Sequence, residues 1–104
     1  MRIILSALAL AATVVTTDAS AQVNGVSLSG QYRCVSQCPA RVRAAAITQN
    51  GWDFNAVNNL GQASRGWVDW PGHIWIRELN QGAIYSPTGT TVQFDNGTIW
   101  RRRR

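Results

Sequence analysis

From Ile47 onward a glycine returns every ten or eleven residues, at Gly51, Gly61, Gly72 and Gly82, and the series continues at Gly89 and Gly97. The segments between are short and rich in β-branched and aromatic residues, a composition that suits strands better than helices. Asn50-Gly51 and Asn96-Gly97 are expected to close hairpins as type I′ turns, which need positive φ at both central residues. Pro71-Gly72 and Pro87-Thr88-Gly89 carry turn chemistry of the same kind, with looser versions around Gly61 and Gly82. The spacing predicts strands over residues 29–35, 45–49, 52–58, 64–70, 73–79, 83–86, 91–94 and 98–102. No helical period follows Ala21. The fold expected is therefore all-β: a small antiparallel up-and-down meander, closed or nearly closed into a barrel.

Strand alternation sorts these residues into two faces. Trp52, Phe54 and Ala56 share one face, opposite Asp53, Asn55 and Val57; Ile74 and Ile76 oppose His73, Trp75 and Arg77; Val92 and Phe94 oppose Thr91 and Gln93. The expected core is Trp52, Phe54, Ile74, Ile76, Val92 and Phe94, joined by Ile47, Tyr32 or Ile99. Trp75 and Trp100 alternate with polar neighbours and are expected outside it. The stretch from Trp67 to Trp70 is ambiguous, because Trp67 pairs with Asp69 on one face while Val68 pairs with Trp70 on the other.

The first 21 residues have the three-part layout of a secretory signal peptide: Arg2, a run of small and apolar residues from Ile3 to Val15, and Ala19-Ser20-Ala21 as the cleavage site. The apolar run is shorter than the roughly 20 residues a membrane-spanning helix needs. Residues 22–104 are then a single exported domain, periplasmic or secreted, with a short basic tail. The mature chain carries nine arginines and no lysine against Asp53, Asp69, Glu78 and Asp95, a net charge of +5. Four of the nine are Arg101, Arg102, Arg103 and Arg104, so most of the basicity is terminal.

A domain this small holds a marginal core, and cross-linking helps it. Cys34 and Cys38 are the only cysteines. In an oxidising compartment they are read as one disulfide. A metal site lacks ligands at this spacing, since C-x3-C has no second pair and His73 is the only histidine in the chain. No cofactor is implied.

Gly30-Gln31-Tyr32-Arg33-Cys34, the Ser86-Pro87-Thr88-Gly89 turn and the closing Phe94-Asp95-Asn96-Gly97-Thr98-Ile99-Trp100 give the mature chain a resemblance to a group of small exported proteins of proteobacteria. That resemblance implies export and a β fold, and transfers no activity or site. A looser similarity of architecture is to avidin-like and lipocalin-like meanders.

Few residues are suited to catalysis. His73 with Asp69 or Glu78 would be the components of a small hydrolase, because two carboxylates suffice for glycosidase chemistry. Asp53 and Asp95 belong to turns or solvent faces. The expectation is instead a non-enzymatic binding or interaction protein of the cell envelope, with no catalytic residue and no metal. Its ligand-binding candidates are Trp67, Trp70, Trp75 and Trp100, flanked by Arg65 and Arg77. Exposed indoles stack on sugars and other flat ligands, so an envelope glycan, an anionic lipid or an acidic protein are the candidate partners. Inhibition of an acidic partner enzyme is an alternative role. Arg101, Arg102, Arg103 and Arg104 form a candidate anion site, set against the plainer reading of solvated charges that keep an edge strand from pairing. Export makes nucleic acid an unfavoured partner. Asn96-Gly97-Thr98 matches a glycosylation sequon, but the turn accounts for it.

Overall fold

Eight short strands without a covering second layer can each hide an apolar face by curling into a ring. The computed structural model, which describes residues 22–103, does so. The expected leader, residues 1–21, and Arg104 lie outside the described residues. The strands are β1 (Gly30–Ser36), β2 (Ala44–Asn50), β3 (Asp53–Asn58), β4 (Ala63–Trp70), β5 (His73–Ile76), β6 (Gln81–Tyr85), β7 (Thr91–Phe94) and β8 (Ile99–Arg102). Each pairs antiparallel with the next, and β8 returns to β1, with Tyr32 opposite Arg102 and Cys34 opposite Trp100. The result is a closed eight-stranded barrel. No helix occurs among the described residues, and none is long and apolar enough to cross a membrane.

The interior is lined by alternate residues of every strand. Tyr32, Ile47, Phe54, Ile74, Ile76, Val92, Phe94 and Trp100 form one buried cluster with the small side chains of Ala45, Ala56 and Ala83. Three expectations about this core need correction. Trp100 is 8% exposed and packs edge-on against Phe94, with centroids 4.8 Å apart, so it belongs to the interior. Its neighbours at the same inward parity, Thr98 and Arg102, misled the alternation because they are polar yet face inward, where Thr98 bonds the Gln37 carbonyl and Arg102 the Tyr32 hydroxyl. Ile99, one residue away, faces outward.

Trp52 is 53% exposed rather than buried. Asn50 pairs with Asp53, which leaves Gly51 and Trp52 as the two turn residues. Positive φ is confined to Gly51 (65°), the Gly-first pattern of a II′ hairpin rather than the expected I′ turn. The tryptophan is thereby carried past the end of the wall. Gly82 is likewise no turn glycine. The β5–β6 reversal is made one step earlier, where Asn80 adopts φ 52° and donates to the Arg77 carbonyl, so β5 stops at Ile76 and Gly82 lies within β6.

The two barrel ends differ. At one end the segment before β1 folds underneath, burying Val23 and Leu28. The Leu28 N–H donates to Gln49 Oε1 at 2.6 Å. The Tyr32 hydroxyl lies 2.7 Å from the Leu28 carbonyl and 2.9 Å from that of Gly89, and accepts from Arg102 Nη2 at 3.0 Å. Burial raises the Tyr32 pKa, against an opposing pull from the Arg102 guanidinium. Arg102 also donates to the Ser27 carbonyl and lies over the Tyr32 ring, so it plugs this end and is no part of a solvated tail.

At the other end the Cys34–Cys38 disulfide spans Cα atoms 5.9 Å apart and pins the β1–β2 loop. Thr98 Oγ1 donates to the Gln37 carbonyl, tying that loop to the β7–β8 turn.

Two stability measurements check this packing. A Cβ at Gly66 would collide with the Phe54 ring and the Trp75 carbonyl. Gly66→Ala should therefore destabilise the protein by roughly 1–3 kcal/mol in denaturant unfolding. The disulfide closes a loop with a sequence separation of only 4. Reduction should accordingly lower stability by about 2 kcal/mol, and no change under reductant would show that the bridge contributes nothing to the folded state.

Candidate ligand-binding site

Strand direction decides which loops share an end. The β1–β2, β3–β4, β5–β6 and β7–β8 connections gather opposite the plug, and the barrel is open there. Between them a cavity of about 360 Å³ runs into the interior. Its floor is Ala56, Ile76, Phe94 and Trp100, and Pro39, Val42 and Leu79 add apolar wall at the mouth. An eight-stranded barrel is only wide enough to be filled by side chains or to hold one small ligand. Here the inward positions at Ala56 and Ser64 are small, which leaves space beside Phe94.

Polar groups in the cavity are amides and hydroxyls from strand ends: Asn58, Gln62, Ser64, Gln81, Asn96 and Thr98. Most are already engaged. Asn58 and Gln62 bond each other at 2.9 Å, and Thr98 holds Gln37. Gln81 differs, since its Oε1 is buried with no hydrogen-bond partner among the described residues. A buried acceptor left unpaired costs about 1–3 kcal/mol. Glu78 is the sole charged residue lining the cavity. It accepts from the Arg65 backbone N–H at 2.5 Å and from Arg77 Nη2 at 2.8 Å. These bonds hold its carboxyl below the ordinary glutamate value of 4.5, the Arg65 N–H contributing most.

The candidate residues named from the sequence fall into three places. Trp100 lies on the cavity floor. Trp67 and Trp75 are paired across β4 and β5 on the outer wall, with Arg65 on β4 and Arg77, just past the end of β5, one step further toward the cavity mouth. Trp70 is 57% exposed and stacks on the His73 ring at 4.2 Å between centroids. Trp67, Trp70, Trp75, Arg65 and Arg77 thus share one outer face, from which Trp100 is separated by the thickness of the wall.

Arg101 and Arg103 are exposed at the β1–β8 seam, Arg102 is the internal plug and Arg104 is outside the described residues. His73 Nδ1 lies 2.7 Å from Asp69 Oδ1. This pair sits on the outer wall and does not line the open-end cavity, while Glu78 is engaged with the two arginines. Among the described residues no group of three His, Cys, Asp or Glu side chains is placed to hold a metal ion.

The cavity residues Asn58, Gln62, Gln81, Asn96 and Thr98 were not legible as a site. Their available signal was polar residues at inward parity near strand ends, together with small residues deeper in. The chain matches no protein-family model, and neither curated proteins nor solved structures show a significant match to it.

The Glu78 bonds make a pH prediction. A lowered folded pKa means their stabilisation is complete above the ordinary glutamate value and is lost as pH falls through the folded value. Wild type should therefore melt above Glu78→Gln at neutral pH. The difference should vanish in acid below the glutamate range, and a difference that persists there would exclude the charged carboxylate as its source.

Proposed function

We propose that this protein is an exported, non-enzymatic binding protein of the cell envelope, and that the barrel's open end takes one small, mainly apolar, uncharged ligand carrying a hydrogen-bond donor. The observation that carries this reading is the one-ended cavity with the unpaired Gln81 Oε1 in its lining. Its volume falls at the lower end of the roughly 300–1,000 Å³ range of small-molecule pockets. An apolar floor with a few directed polar groups is the usual make-up of such sites. Closed eight-stranded meanders that enclose a single ligand are an established use of this architecture, which supports the reading without naming the ligand. Glu78 at the rim disfavours anions.

A second reading rests on the outer wall. Trp67, which is exposed, and Trp75, which is half-buried, lie side by side flanked by Arg65 and Arg77 and offer flat rings to an envelope glycan. The two readings place the ligand on opposite sides of the same wall.

N-phenyl-1-naphthylamine, a neutral apolar fluorophore with one N–H, separates them. It should bind one per barrel and quench Trp100. Ala56→Leu, which fills the floor, should weaken binding at least tenfold, and Gln81→Met should weaken it by about tenfold, the equivalent of one hydrogen bond. Trp67→Ala with Trp75→Ala should leave the affinity unchanged. Loss of binding in the outer-wall double variant, with none in Ala56→Leu, would overturn the cavity reading.

A further inference from the structure

The charges are sorted around the barrel. All four carboxylates of the described residues lie on the β3-to-β7 side: Asp53 on β3, Asp69 on β4, Glu78 after β5 and Asp95 after β7. The β8–β1 seam and the loop that follows carry Arg33, Arg41, Arg43, Arg101, Arg102 and Arg103 with no acid among them. At the seam Arg33 stands directly opposite Arg101. Both point outward, as does Arg103, and among the described residues no carboxylate lies within 4.0 Å of any of the three.

Like charges directly opposite in an antiparallel pair are destabilising. The plain explanation, that arginines guard an exposed strand edge, does not apply here. β8 and β1 pair with each other, so closure leaves no edge at this position. Packing does not account for the pair either, because both side chains are exposed. These three arginines, with Val35 and Arg102, line a groove of about 420 Å³ on the outer wall. Thr91 on β7 is registered against Arg101 on its other side.

We propose that this seam is a binding site for a multiply charged phosphate group, held by Arg33, Arg101 and Arg103. A guanidinium presents a planar fork that pairs two phosphate oxygens at once, which the rounder ammonium of lysine does not. Two forks on adjacent strands of a rigid wall converge on one dianion, and its charge removes the repulsion the fold otherwise carries. The site is distinct from the cavity at the open end, and its test is independent of any ligand bound there.

The test uses oxidised protein comprising residues 22–104. Inorganic pyrophosphate is titrated by calorimetry, and phosphatidylcholine vesicles with and without phosphatidate are tested by co-sedimentation. Arg33→Gln with Arg101→Gln should weaken phosphate binding at least tenfold. Arg41→Gln with Arg43→Gln, which removes the same net charge from the neighbouring loop, should change it less than twofold. The seam variant should also melt at a higher temperature than wild type in phosphate-free buffer, which shows both that it folds and that the repulsion is real. Binding of pyrophosphate assigns the site to free phosphate chemistry, and binding of phosphatidate vesicles alone assigns it to a lipid headgroup. Binding to neither, or equal losses in the two double variants, would overturn the proposal.

Discussion

The pairing of β1 with β8 is the constraint on which the rest of this structure depends. It joins residues up to 70 positions apart, Tyr32 with Arg102 and Cys34 with Trp100, and converts an open sheet with two bare edges into a ring. An open meander of this length would leave one face of every strand in water or need a second layer to cover it. Closure lets each strand bury its own alternate residues against the others. It also turns Trp100 and Arg102 inward, which makes one the floor of a cavity and the other the plug beneath it.

Because the strands alternate in direction, closure also produces two unequal ends. One receives the chain before β1, and Leu28, Gln49, Tyr32, Gly89 and Arg102 are joined there in one hydrogen-bonded group, although Arg102 Nε is buried without a partner among the described residues. A group so interlocked seals the end and fixes the phenol of Tyr32, whose hydroxyl has too few protons to serve both carbonyls at once. Among the described residues no such segment reaches the opposite end. There the disulfide loop leans across the mouth without filling it, and small inward residues leave the cavity open. The asymmetry of the barrel thus follows from the segment that folds under one end before β1, combined with a shortage of side-chain volume at positions such as Ala56 and Ser64.

The outer surface follows a different logic. Residues that face away from the core escape packing constraints, yet they are not mixed at random. Trp67, Trp70, Trp75, His73 and the four side-chain carboxylates of the described residues lie on the β3-to-β7 side, and an arginine seam without an acid among those residues lies on β8 and β1. The Trp70 and His73 stack, the Asp69 and His73 bond and the bonds from Arg65 and Arg77 to Glu78 knit the first side together. Among the described residues the outward arginines of the seam have no comparable side-chain partners.

The all-β class, the one-after-another strand order and the location of nearly every strand were legible in the sequence, because they depend on local chemistry: turn residues at regular spacing and side-chain alternation with a period of two. Phe54, Ile74, Ile76, Val92 and Phe94 were identified as core by that period alone. What remained hidden was whatever depends on residues distant in the chain. A one-residue choice of hairpin turn carried Trp52 out of the core. Return of the last strand to the first put Trp100 and Arg102 inside. The cavity is defined by volume that four separate loops and strand ends fail to fill, and no short stretch of sequence records a space between side chains. The sequence by itself determined which residues turn and which extend, since turn geometry and pleat are properties of neighbouring residues. Only the tertiary structure decided which face of the last strand is inside, which end is open and which charges stand opposite one another, because those are properties of closure.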